Sequence, residues 1–386
     1  LDCNDAALRL WRDGDCIWSP GFARFSKNGF QFGDLAWQQA RKSPREVNSR
    51  YWSRLSTQPL SPALGPARHT ADLVHSHLDS LFSQYTQVQP LILGIPGSME
   101  KNQISLLLGI LETLPVQTRA VLHRSALVGA CIGQNCAHVE LELQQTNVTL
   151  VKIKRGIAQA CASQILPGKG LLGLMDNIAE DICHEFVQQT RFDPRRRADT
   201  EQVLYTQIPK IIDALSDHGE TTCSIEGHSA RVSNESIEKL GQSFSQELTQ
   251  LLPDGIAHIA LDTTLVRLPG LNFSAPLSMV DPSWIQTAAL RVLTESDTSG
   301  QLNFQREIPC VEKELETRKT ALSRAPNKHK KNREVTHFLI NGDARPLSES
   351  KTIINGVIVI SPQRLRIEEQ VIIRLNGQPV FGGVVI

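Results

Sequence analysis

The hydrophobic positions of the chain switch between a two-residue and a helical rhythm, and the switches mark its elements. Residues 6–11 alternate as a short strand, Arg12-Asp13-Gly14-Asp15 supplies a turn, and residues 16–18 begin a return strand. Residues 19–69 keep no period. Ser19-Pro20-Gly21, Asn28-Gly29, Ser43-Pro44 and Gly65-Pro66 punctuate them, which predicts irregular structure. From Ala71, Val74, Leu78, Leu81, Phe82 and Tyr85 share one helical face, with Thr70 as the expected N-cap. Residues 90–96 form a continuous apolar run, the pattern of a strand covered on both faces. After Gly97 a helix carries Ile104, Leu107, Leu108, Leu111 and Leu114 until Pro115 stops it. Residues 120–122 predict a strand, 125–132 a helix and 139–153 a hairpin. This strand–helix alternation implies an α/β unit with parallel strands.

A second series follows. Residues 171–190 predict a long helix burying Leu172, Met175, Ile178, Ile182 and either Phe186 or Val187. Asp193-Pro194 breaks it, and residues 201–215 resume the helical spacing. A small hairpin is expected over 221–232, a helix over 237–252, a buried strand over 256–261 and a closing helix over 282–294. From Glu307 the composition shifts to a charged helix over 311–322 and a basic stretch over 324–333 that reads as a linker. Residues 335–386 are rich in β-branched side chains and carry three Asn-Gly pairs, the signature of a small all-β module. The expected division is 1–155 and 156–306 as two α/β lobes, 307–334 as helix and linker, and 335–386 as the β module.

Bulk composition narrows the function classes. The 40 basic and 40 acidic residues balance, so no global field favours nucleic acid or an anionic membrane. No run approaches the ~18 apolar residues of a membrane span. Leu1-Asp2-Cys3 shows no basic-then-apolar leader, and the eight cysteines are scattered as reduced thiols would be. The expectation is therefore cytoplasmic. Cys131, Cys136 and His138 are close in sequence but lack a fourth zinc ligand nearby. The Arg195-Arg196-Arg197 run reads as a solvated helix entry.

Five stretches, in order, resemble the superfamily of actin, sugar kinases and 70-kDa heat-shock chaperones. They are residues 1–7, Gly94-Ile95-Pro96-Gly97-Ser98-Met99 with Gln103, residues 139–148, residues 260–271 ending in Leu268-Pro269-Gly270, and Asp281-Pro282 with Ala288-Ala289. The early residues 19–34 and 51–55 look closest to divergent bacterial chaperone-like members. The resemblance implies a two-lobed actin-like (ribonuclease H-like) ATPase fold. It would put ATP or ADP against Asn4, Asp5, Thr146, Asp262, Thr263 and Thr264, with magnesium and any catalysis at Asp2 and Glu140.

The departures weigh against hydrolysis. Family phosphate loops are glycine-rich so that backbone N–H groups can curl round phosphates. Here Asn4 and Asp5, then Glu142, Leu143 and Gln144, then Asp262, Thr263 and Thr264 stand in their place. The first-lobe Glu or Gln is missing from His123-Arg124-Ser125. Carboxylates brought toward triphosphate oxygens would repel them by roughly 4 kcal/mol at 4 Å and an effective dielectric near 20. The expectation is a chaperone-like or scaffolding protein with a degenerate cleft and weak nucleotide binding at most. It would act through protein partners, with self-association left open; the alternative is a magnesium-dependent ATPase.

Overall fold

The computed structural model describes residues 1–12, 14–83, 85–295 and 302–311, together with the backbone of six later strands; the side chains of Thr264 and of residues 293–295 lie outside that description. Leu1–Lys313 forms one compact unit and Glu314–Ile386 a second. The first is mixed α/β, and no helix among the described residues is long and apolar enough to cross a membrane.

Two sheets organise it, and they share a pattern. In the first, Asp2 bridges antiparallel to Arg9 and parallel to Gly94. On one side lies the hairpin Leu8–Arg12 and Asp15–Ser19. On the other lie the parallel strands Gln89–Ile95 and Val116–His123, with Phe304–Gln305 at the edge. In the second sheet Cys136–Leu141 has antiparallel Gln145–Lys154 on one side, which pairs in turn with antiparallel Ile157–Pro167. Its other side carries parallel Ile259–Asp262 and Leu277–Val280. Glu307–Pro309 pairs with the outer hairpin strand. The expected run of parallel strands therefore stops at Val116–His123. Cys136–Leu141 opens the second sheet instead, beside an antiparallel neighbour. Residue 155, the expected lobe boundary, falls in the turn between Gln145–Lys154 and Ile157–Pro167.

The helix Arg124–Ile132 runs between the sheets, and its residues 124–130 are all buried. Leu127 belongs to one buried cluster with Val151 of the second sheet and with Ile285 and Ala288 of the helix Pro282–Glu295. The helices Leu171–Thr190 and Ala198–His218 cover the second sheet through Met175, Ile178, Ile182, Phe186, Ile208 and Leu215. Phe186 is the buried choice, while Val187 is 40% exposed.

Residues 19–69 are more regular than their sequence suggests. They hold the strands Ala23–Ser26, Gly29–Phe32, Val47–Asn48, Pro59–Leu64 and Ala67–His69 and the short helix Asp34–Trp37. Thr70 is the first residue of the helix Thr70–Phe82, and His69 occupies the N-cap position. The Thr70 hydroxyl faces away from the helix, donating to the carbonyls of Arg54 at 2.8 Å and Ser56 at 3.1 Å. In the second unit His337–Ile340, Asp343–Pro346, Gln370–Leu375 and Gln378–Val385 form a four-stranded antiparallel sheet, and Ile353–Ile354 pairs with Val357–Ile358. Of the helix and linker expected over 307–334, Glu307–Pro309 is a strand, and residues 312–334, like the three Asn-Gly pairs, lie outside the described residues.

Candidate functional site

Carboxylates stand at the bridge between the two halves of the first sheet (Asp2), one residue before the end of the central strand of the second (Glu140) and at the end of that strand's parallel neighbour (Asp262). Asp2, Glu140 and Asp262 are thereby brought to one place, although 138 residues separate the first from the second and 122 the second from the third. At that place sits Arg124, the first residue of the helix between the sheets and, among the described residues, the largest fully buried side chain. Its Nε donates to Asp2 Oδ1 at 3.0 Å and Oδ2 at 3.2 Å. Nη2 donates to Asp262 Oδ1 at 3.3 Å, and Nη1 lies 3.1 Å from Glu140 Oε1 as an ion pair off hydrogen-bond alignment. Arg9 adds a weaker contact to Asp2 at 3.7 Å.

These contacts set the protonation states. Burial alone would raise Asp262, but Arg124, the contact with His138 and the Leu141 N–H hold it below the usual carboxylate range. Burial dominates at Glu140 and pushes it to about 7 despite Arg124. Burial also opposes the charge of Arg124, but Asp2, Asp262 and Glu140 outweigh it and keep the guanidinium protonated.

A second carboxylate pair lies beside the first group. Asp5 Oδ1 accepts from the Leu143 N–H at 2.7 Å, and Glu142 Oε2 accepts from Gln145 Nε2 at 2.9 Å. Burial is the main force raising Asp5 to about 7 and Glu142 to about 8; the Glu140 charge raises Asp5 further and the Asp5 charge raises Glu142, while hydrogen bonds from Ser98 and Gln145 hold Glu142 back. Asn4 ties the groups together, donating to Glu140 Oε1 at 3.3 Å and to the Leu141 carbonyl at 3.1 Å. Asn147 donates to Glu140 Oε2 at 3.3 Å and to Thr149, which meets Ser163 at 2.8 Å. Gly97 lies over this polar column, where a Cβ would stand 2.7 Å from Ser163 Oγ and 2.9 Å from Asn147 Nδ2.

The backbone amides here already have partners from the chain itself. Leu143 N–H is held by Asp5, Leu141 N–H by Asp262 at 2.9 Å and Ala6 N–H by Asn4 at 2.9 Å. At the start of the helix Leu171–Thr190, Leu171 and Leu172 donate to the carbonyls of Glu142 at 2.8 Å and Leu143 at 3.0 Å. Gly170 permits that docking, because a Cβ there would meet Gln145 N and stand 2.6 Å from the Glu142 carbonyl.

Of the residues expected to hold nucleotide or metal, Asp2, Asn4, Asp5, Glu140 and Asp262 converge. Thr146 turns away and donates to the Lys169 carbonyl at 2.5 Å, and Thr263 donates to the Val280 carbonyl at 3.1 Å. The side chain of Thr264 lies outside the described residues. As arranged, Asp2 and Glu140 do not fit a magnesium ion, since both face the same guanidinium. Among the described residues no group of three or more His, Cys, Asp or Glu is arranged around a metal position. Cys131 faces the Trp284 carbonyl at 3.3 Å, whereas His138 faces Ser125 Oγ at 2.9 Å. The sequence reading missed Arg124 as a site residue. Its one signal is a cation set between His123 and Ser125 in the middle of the apolar runs Ala120-Val121-Leu122 and Ala126-Leu127-Val128.

A cavity of about 80 Å³ remains open between Asn4, Arg9, Arg124, Asp262 and Thr263. A larger one, about 510 Å³, lies further off between Trp37, Arg41, Gln144, Asp176 and Tyr205. The sequence matches no protein-family model and no curated protein.

Proposed function

We propose that the protein is a chaperone-like or scaffolding protein built on a two-lobed actin-like frame whose nucleotide cleft is closed from within. Two sheets with the same strand order, each with an antiparallel hairpin on one side and parallel strands on the other, support the frame. One observation carries the loss of nucleotide chemistry. Side chains of the chain take the N–H groups and the cationic charge that a triphosphate would need. Asp5 and Asp262 occupy the amides of Leu143 and Leu141, and Arg124 occupies Asp2 and Glu140. Hydrolysis would require Arg124 to leave both carboxylates. Ile17 and Trp18, exposed on the outer strand Asp15–Ser19, support the part of the reading that invokes a protein partner.

The test is thermal unfolding of the full chain with Mg-ATP and Mg-ADP. A ligand at 100 times its Kd adds about 2.7 kcal/mol of stability. The expected result is an unchanged Tm at millimolar nucleotide. A saturable rise, or phosphate release abolished by Asp2→Ala, overturns the reading.

A further inference from the structure

The cavity of about 510 Å³ has the size of a small-molecule site, and its lining is uneven. Phe22, Trp37, Val47, Leu172 and Tyr205 give it apolar and aromatic walls. Its two carboxylates, Asp176 and Glu201, are already engaged. Arg41 pairs with both, at 3.6 Å for Glu201, and its guanidinium lies over the Tyr205 ring, 3.7 Å from the centroid. Tyr205 Oη donates to Asp176 at 2.5 Å. Gln144 is taken by Ser49, donating to its carbonyl and its hydroxyl at 3.2 Å. One lining charge is left over. The Arg50 guanidinium is exposed at the rim and has no ion-pair or hydrogen-bond partner among the described residues. Arg50 also lines an adjoining groove of about 450 Å³ together with Arg54, which is likewise exposed and without a side-chain partner among those residues. No acidic residue lines that groove.

We propose that this cavity binds a small, flat apolar molecule carrying a single negative group, an aromatic carboxylic acid in its simplest form. The ring system fills the space beside Trp37 and Leu172, and the carboxylate pairs with Arg50, with Arg54 adding to the local field. Aromatic walls favour flat bodies, because stacked and edge-on ring contacts add to simple burial. A guanidinium without a partner favours a carboxylate, whose two oxygens match its forked donors. A cationic ligand finds no free acid here, since Arg41 holds both carboxylates and Tyr205 adds to Asp176. A polyphosphate is disfavoured for the opposite reason: its further charges would stand against Asp176 and Glu201. Asp2, Arg124, Glu140 and Asp262 do not line this cavity. Failure of the inference therefore leaves the nucleotide reading untouched.

The experiment is fluorescence titration of the full chain with anilinonaphthalene sulfonate, an aromatic monoanion. One saturable site is expected, with a Kd below about 100 μM. Naphthoate should displace the probe, and its uncharged amide should need at least ~10-fold more to do so. Arg50→Gln should weaken probe binding by about 10-fold. Arg119→Gln, the same charge change at an exposed residue outside the cavity, should leave it unchanged. Ala40→Phe, which takes up part of the cavity, should weaken binding too. Arg50 is exposed and without a side-chain partner, so Arg50→Gln should keep the parent Tm, and its weaker binding then reports the site rather than the fold. No saturable site, equal displacement by the amide, or a parent-like Kd in Arg50→Gln or Ala40→Phe overturns the proposal.

Discussion

The Arg124 guanidinium donates through a single nitrogen, Nε, to both oxygens of Asp2, at 3.0 and 3.2 Å, in a pair that is almost wholly buried. Its other two nitrogens face Glu140 and Asp262. Removing the cation therefore strands three carboxylates at once.

Arg124→Met should destabilise the protein by about 3–5 kcal/mol, the usual cost of deleting one partner of a buried ion pair. Arg124→Lys should recover part of this, because an ammonium restores the charge without the forked geometry. Denaturant unfolding of the two variants beside the parent measures both effects. A loss below about 1 kcal/mol for Arg124→Met would contradict the role given to Arg124.

The raised carboxyls predict an alkaline loss of stability. Asp5 and Glu140 sit at about 7 and Glu142 at about 8, against roughly 4 in an unfolded chain. The folded protein then binds more protons than the unfolded one, so this stability is full below about pH 4 and is lost as pH rises through 7 to 8. His77 and His123, lowered by burial to about 3, act in the opposite sense, with stability lost as pH falls below about 6.5. The two effects oppose each other below pH 6.5, and above it the histidine effect is spent, while the buried Leu1 amine, lowered by burial, offsets part of the carboxyl loss. Calorimetric scans in cation-free buffer should show Tm falling between pH 6.5 and 8, with a shallower slope in Glu142→Gln.

His77 anchors the early part of the chain. Tyr51 Oη lies 2.6 Å and Trp52 Nε1 3.2 Å from its Nδ1, and Ser19 Oγ lies 2.8 Å from Nε2. The indole N–H can only donate, so Nδ1 accepts and Nε2 carries the proton donated to Ser19. His77→Phe would keep the stacking on Phe32, whose centroid is 5.0 Å away, but would orphan the Tyr51 and Trp52 donors. A cost of about 2–4 kcal/mol is expected, read from urea unfolding followed by tryptophan fluorescence.

Two glycine replacements should move in opposite directions. Gly170 has ordinary extended backbone, so Gly170→Ala acts only through collision with Gln145 N and the Glu142 carbonyl, and should cost more than about 1 kcal/mol. Gly109, within the helix Lys101–Leu111, has open space at its Cβ, so Gly109→Ala should stabilise by about 0.5–1 kcal/mol. Matched urea titrations compare the pair.

The sequence was most legible where periodicity ran long. Leu171–Thr190 was bounded correctly because one apolar stripe runs between Gly170 and Arg191, a residue in the left-handed conformation at the helix end. Residues 19–69 were opaque because their strands span only two to six residues, too short for a two-residue rhythm to show. Thr70 misled for a related reason. A Thr before an apolar run reads as a cap, while the carbonyls of Arg54 and Ser56 that take its hydroxyl are reached only in three dimensions. The carboxylates at 2, 5, 140, 142 and 262 were singled out as residues standing where a resemblance would place glycine-rich loops and a metal. Arg124, the residue that gathers three of them, was not, because its contacts lie 122 residues away at Asp2 and 138 at Asp262.

Those separations bear on kinetics. Contacts that close loops of more than a hundred residues are expensive to form early, so the Arg124 cluster should assemble after the folding barrier has been crossed. Interactions absent from the transition state slow unfolding while leaving the folding rate nearly unchanged. The guanidinium would thus act as a latch on the lifetime of the native state, and its loss would appear chiefly as faster opening.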